Sequence, residues 1–167
     1  MLLYLMRHAH AEVGQGVDEL SRPLSTGGQA YVRRLLPLLR ALGVRPEQIV
    51  SSPYQRALQT ARLLADGLGY SQEILKDVAL SPTASTIGIQ ALLIAFAKCQ
   101  QVLFVGHVPS MPTWIGELCG SSAFRIAFPA GAICCVELPE PHRWSGTLRW
   151  LITHVEAEPR GGVALEG

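Results

Sequence analysis

The sequence is short of charge, has no paired-cysteine spacing and lacks any long uninterrupted apolar run. Charged residues make up 16% of its 167 positions and balance to a net charge of +1, which leaves no basic footprint for a nucleic acid. The four cysteines, Cys99, Cys119, Cys134 and Cys135, show no CxxC spacing, so neither a zinc knuckle nor a disulfide framework is suggested. Near the N-terminus, Arg7, His8, His10 and Glu12 interrupt the apolar residues before a signal-peptide core or a membrane span could form. The expectation is a cytoplasmic protein with no nucleic-acid or membrane partner.

What is present is a core-forming composition. Hydrophobic residues reach 49% and mean hydropathy is +0.25, as in a compact enzyme. A chain of this length can bury roughly 70% of its unfolded surface in one domain. Residues 1–155 are read as that domain, and 156–167, which carry charge, Pro and Gly without periodicity, as a fraying tail.

Along the chain, short apolar runs alternate with helical patterns. Leu2 to Met6 reads as a buried parallel strand. Residues 13–23 read as a loop. Ser25 or Thr26 then caps a helix to about Leu42, which Gly43 ends and Pro37 should kink. Ile49 to Ser51 predicts a second strand, followed by a helix with Ser52 as N-cap and Pro53 at its first position. A helix is expected over 87–99, a strand over 101–105, helical character over 108–119, and strands over 132–138 and 147–154. This alternation predicts an α/β three-layer sandwich, a mostly parallel central sheet with helices on both faces. Ligands of such sheets bind outside the carboxyl ends of the strands.

Three distant segments bring polar groups to that end. Arg7 and His8 leave the first strand, Arg56 begins the helix after the second, and His107 closes a later strand. Each alone has an ordinary explanation as a surface charge or a bonded core histidine. Together, two guanidinium forks and two imidazoles beside a helix N-terminus make an anion site suited to phosphate.

These residues lie in recognisable motifs. Leu5-Met6-Arg7-His8-Ala9 resembles the LxRHG signature of the histidine phosphatase superfamily, with Ala9 in place of glycine. Leu24 to Gly28 is similar to its L[ST]xxG helix entry, Ser51 to Ala61 to its SSPxxRAxQTA segment, and Val105-Gly106-His107 to its VxH element. Within the superfamily (the phosphoglycerate mutase-like fold), the short length, Ser21 to Ser25 and Phe128 to Ile133 most resemble the SixA branch of protein phosphohistidine phosphatases.

The resemblance implies a metal-free, cofactor-free phosphatase acting through a phosphohistidine intermediate on His8. Arg7, Arg56 and His107 would bind the non-bridging oxygens, and Arg22 would be a fourth phosphate ligand by likeness to the SixA branch. A neutral imidazole is nucleophilic near pH 7 without an activating base, and Arg7 alongside should disfavour its protonation. Ala79 stands where that branch has a carboxylate, leaving Asp77, Asp18 and Glu73 as candidate acids with ordinary structural readings. An imidazole leaving group already protonated on nitrogen needs no strong external acid, so the gap favours phosphohistidine over phosphomonoesters. With no long insertion to act as a lid, the pocket should be open, which suits a side chain presented by a phosphorylated protein.

Other readings stay open on the sequence alone. The chain could be a small-molecule phosphomonoesterase acting on a sugar phosphate, nucleotide or cofactor precursor. It could also be a non-catalytic phosphate-binding module. His8 and His10 could chelate zinc with Asp18 and Glu19, but no other spacing supports a metal. His10 is read as a rim or surface residue.

Overall fold

The computed structural model describes residues 1–13, 16, 18–121, 123, 125–141 and 143–155. The expected tail, 156–167, lies outside the described residues. The elements in chain order are β1 (Leu2–Arg7), α1 (Thr26–Ala41), β2 (Gln48–Ser51), α2 (Gln55–Leu68), β3 (Leu75–Lys76), a short 3-10 turn (Val78–Leu80), α3 (Thr86–Ala95), β4 (Gln101–Gly106), α4 (Ser110–Leu118), β5 (Ile133–Glu137) and β6 (Thr147–Ile152).

The strands form one six-stranded sheet of order β3-β2-β4-β1-β5-β6. Strands β3, β2, β4 and β1 run parallel, whereas β5 and β6 close one edge antiparallel. Alternation along each buried strand divides the core in two. Leu3, Leu5, Phe104 and Cys134 face α3 and α4, where Ile89, Leu93, Trp114 and Ile115 cover them. Tyr4, Met6, Val105 and Cys135 face α1 and α2, covered by Val32, Leu35, Leu39, Ala61 and Leu64. Adjacent Cys134 and Cys135 therefore serve opposite layers with free thiols.

Local differences from the sequence reading have physical causes. Helix α1 contains Pro37 and keeps its expected ends, with the Ser25 side chain accepting a bond from the Gly28 amide and Gly43 at φ 74° following it. Leu42, its C-cap, is exposed. Helix α2 begins at Gln55 with Tyr54 at the N-cap, so neither Ser52 nor Pro53 has its expected capping place. The Ser52 hydroxyl is engaged elsewhere, as described below. Helix α3 ends at Ala95, four residues short of its expected limit. The two-residue β3 was not predicted; it is too short for a periodicity to register.

The chain passes from β1 over to β2 and β3 and returns to β4, which lies beside β1. Helices α1 and α2 cover one face there and α4 the other. Opposite departures from neighbouring parallel strands open a crevice at their carboxyl ends, the switch point where α/β sheets bind ligands.

Candidate active site

The crevice is floored by the ends of β1 and β4. The His8 amide donates to the Gly106 carbonyl at 3.0 Å, which locks the residue after β1 against the residue before His107. Gly106 fits tightly there, because a Cβ would stand 2.7 Å from the Leu80 carbonyl oxygen. The two imidazoles thereby meet, with ring centroids 4.9 Å apart.

His8 is 8% exposed and both ring nitrogens have defined partners. Its Nδ1 lies 2.8 Å from the Ala9 carbonyl oxygen, which can only accept, so Nδ1 carries the proton. The Arg56 Nε–H donates to Nε2 at 3.1 Å, so Nε2 presents its lone pair. The ring is therefore a neutral imidazole with its free lone pair turned toward a guanidinium group.

Burial drives this neutrality. Desolvation pushes the His8 pKa down to about 4, opposed by the bond to Ala9 and assisted by Arg56, Arg7 and Arg22. Arg7, singled out on sequence as the group that disfavours imidazolium, acts after burial and Arg56. His107 is held down to about 3, again first by burial, then by His8 and the three arginines.

Arg56 is 4% exposed and ties the crevice together. Besides His8, it donates through Nη1 to the Glu19 carbonyl at 2.7 Å, and its Nη2 stands 3.4 Å from the Glu19 carboxylate. Arg22 Nη2 donates to the same carboxylate at 2.9 Å. The loop carrying Glu19 and Arg22 is anchored on α2, where the Gln55 amide donates to the Leu20 carbonyl at 2.8 Å. That amide, at the N-terminus of α2, is thereby spent on the loop. Arg7 completes the set, its Nη1 donating to the Phe128 carbonyl at 3.0 Å. Among the described residues, Arg7 Nε and Arg22 Nε are buried donors without a hydrogen-bond partner.

All five residues predicted on sequence, Arg7, His8, Arg22, Arg56 and His107, converge here. Others were not legible as site residues. The Ser52 hydroxyl lies 2.9 Å from His107 Nε2 and orients that ring. Tyr54 packs edge-on against His107, with centroids 4.9 Å apart, and lies under the Arg56 guanidinium at 4.9 Å. The Thr60 hydroxyl accepts from the Ala9 amide at 3.2 Å and donates to the Arg56 carbonyl at 2.8 Å. Ser52 and Thr60 belong to the Ser51 to Ala61 motif, whose fixed polar positions were the available signal. Glu19 carried none.

The candidate acids are occupied elsewhere. Asp77 caps the 3-10 turn through the Ala79 amide at 2.8 Å, and Asp18 accepts from the Ser21 hydroxyl at 3.4 Å. Glu73 lines a separate surface hollow with Tyr70 and Lys76. His10 is exposed, its Nδ1 2.8 Å from the Ser25 hydroxyl, and so is turned to the start of α1 rather than to His8. Among the described residues no group of three His, Cys, Asp or Glu is placed to hold a metal ion.

Comparison with known proteins supplies the family. The model of the histidine phosphatase superfamily (branch 1) matches residues 3–81. Phosphohistidine phosphatase SixA of Escherichia coli strain K12 is 30% identical over 154 residues, covering 90% of this chain and 92% of that protein. The chain belongs to the histidine phosphatase superfamily. A solved superfamily structure, the protein histidine phosphatase SixA complexed with tungstate, superposes with a TM-score of 0.83 at 28% identity, over 92% of this chain and 97% of that one. The α-ribazole phosphatase from Shigella flexneri shares the superfamily fold, with a TM-score of 0.66 at 18% identity over 94% and 100% of the two chains.

Position 9, where the superfamily signature has glycine, accommodates its alanine. Ala9 is fully buried among the residues facing α1 and α2, and no non-glycine residue described has a positive φ. The backbone there makes no demand that only glycine can meet.

Proposed function

We propose that the protein is a metal-independent phosphohistidine phosphatase of the SixA type, with His8 as nucleophile and Arg7, Arg22, Arg56 and His107 holding the phosphoryl oxygens. The observation that carries this reading is the bond from Arg56 Nε to His8 Nε2, which combines a buried neutral nucleophile with the guanidinium that would hold its target. The likeness to the Escherichia coli enzyme over nine-tenths of the chain supports the substrate class.

In the first step the His8 Nε2 lone pair attacks phosphorus in line, and the bond to the leaving group breaks toward solvent. Arg56 exchanges its bond to Nε2 for one to a phosphoryl oxygen, and Arg7 Nε and Arg22 Nε supply two further buried donors. In the second step water attacks the phosphohistidine; the P–N bond breaks, His8 recovers its lone pair and dihydrogen phosphate carries away both water protons. Fixed positions and positive charge do the catalytic work.

A phosphohistidine substrate fits the composition of the site. Ala79 offers no acid, and Asp77 beside it is spent on capping. Imidazole protonated on its distal nitrogen leaves without one. The fitting partner is a phosphorylated protein presenting that side chain to the open crevice, with residues 1–155 as the catalytic unit. The free thiols suit a reducing compartment such as the cytoplasm, and among the described residues no helix is long and apolar enough to cross a membrane.

The test is turnover of a phosphohistidine-bearing phosphotransfer protein against p-nitrophenyl phosphate and a sugar phosphate, with His8→Ala as control. Marked preference for phosphohistidine, with acid-labile label trapped on wild-type His8, is the expected result. Equal rates on sugar phosphates would favour the small-molecule reading, and full activity of His8→Ala would refute the nucleophile.

A further inference from the structure

We infer that Glu19 determines leaving-group specificity: its carboxylate accepts a hydrogen bond from the distal N–H of the substrate's phosphorylated imidazole and repels substrates that carry a carboxylate beside the phosphate. The inference rests on the phosphohistidine reading above and deepens it.

Glu19 is placed by the site itself. Its carboxylate oxygen lies 2.9 Å from Arg22 Nη2 and 3.4 Å from Arg56 Nη2, while its own carbonyl takes the Arg56 Nη1–H at 2.7 Å. Among the described residues it is the one carboxylate paired with the site arginines. Asp18 and Asp77, two of the candidate acids, are bonded elsewhere, and Glu73 lines a separate hollow.

Its level in the crevice matters as much as its partners. The nucleophile is buried at the floor, whereas the Glu19 side chain is 63% exposed at the mouth. In-line attack from His8 Nε2 requires the leaving atom to depart on the opposite side, toward that mouth. A phosphoryl group held by Arg22 and Arg56 thus has the Glu19 carboxylate on the leaving-group side. A negative charge there opposes an anionic substituent and favours a cationic one.

A phosphorylated imidazole bearing a proton on its distal nitrogen is such a cation. When His8 attacks, the electron pair of the breaking P–N bond returns to the substrate ring, which leaves as neutral imidazole with its N–H retained. Glu19 transfers no proton. It holds the distal N–H and thereby keeps the leaving ring in its protonated, labile form until the bond breaks.

Three substitutions measured on three ligands test this. For Glu19→Gln, kcat/KM on a phosphohistidine-bearing phosphotransfer protein should fall about tenfold or more, the worth of a charge-assisted hydrogen bond. On 3-phosphoglycerate the same variant should hold or gain activity, and inhibition by inorganic phosphate should not weaken. Glu19→Asp should recover part of the phosphohistidine activity, and Glu19→Ala should behave like the Gln variant. A parallel loss on both substrates with weaker phosphate inhibition would mean that Glu19 merely positions the arginines, and would overturn the proposal. So would an unchanged substrate ratio. Wild-type protein inactive on phosphohistidine would instead refute the underlying function, a failure visible before any variant is made.

Discussion

Arg56 Nε and His8 Nε2 lie 3.1 Å apart, each buried, one able only to donate and the other obliged to accept. On the proposed mechanism, the pair fixes the protonation state of the nucleophile and the location of its electrophile in a single contact. A lysine at 56 would keep the charge but lose the planar fork that reaches His8 and Glu19 together. Arg56→Lys and Arg56→Ala should each lower kcat by on the order of 10²-fold or more, measured by steady-state kinetics with circular dichroism to confirm folding. Near wild-type turnover in Arg56→Lys would show that charge alone suffices.

His8 and His107 should resist protonation. Their values of about 4 and about 3 lie below that of an unfolded histidine, about 6.5. The unfolded chain therefore binds protons that the folded chain refuses. Stability is fully present above pH 6.5 and is lost as the pH falls toward 4 and then 3. Imidazole NMR of the free protein should show neither ring titrating between pH 8 and about 5.5, and denaturant midpoints should fall across the acid window. An inflection near pH 6.5 in the His8 resonance would contradict the burial argument.

On the proposed mechanism, Ser52 serves the His107 ring more than the fold. Its hydroxyl holds His107 Nε2 at 2.9 Å and receives the Tyr54 amide only at 3.4 Å. Ser52→Ala should reduce kcat by about tenfold, the worth of one hydrogen bond to a catalytic ring. The melting temperature should shift little. A large loss of stability with unchanged kcat would assign Ser52 to the turn before α2 instead.

Gly28 carries the close approach of α1 to the strand exit. A Cβ there would lie 2.1 Å from the His10 carbonyl oxygen, a backbone atom that cannot swing aside. Gly28→Ala should destabilise the protein by about 1–3 kcal/mol through overpacking, read by denaturant unfolding. Gly27, one residue earlier, has no neighbour closer than 3.8 Å to such a Cβ, so Gly27→Ala is the tolerated control.

Ala9→Gly separates signature from need. Removing a fully buried methyl should cost about 1 kcal/mol of stability, while turnover stays within about twofold of wild type. A large gain in activity would show that the glycine of the signature serves chemistry that this backbone does not reveal.

The amino-acid sequence by itself determined the α/β order of elements, the buried identity of β1 and β4, and the five candidate residues that the fold brings together, because strand-end chemistry and apolar runs are local features. It also marked Ala79 as a missing acid. What it could not determine depends on contacts between segments far apart in the chain. Ser52 looks like a helix cap until His107, 55 positions away, takes its hydroxyl. Glu19 looks like an ordinary loop charge until Arg56 draws that loop onto α2. The protonation states of His8 and His107 likewise follow from burial between the two helical layers, which no stretch of sequence encodes alone. Local patterns choose the elements; packing decides which side chains meet and how little water is left between them.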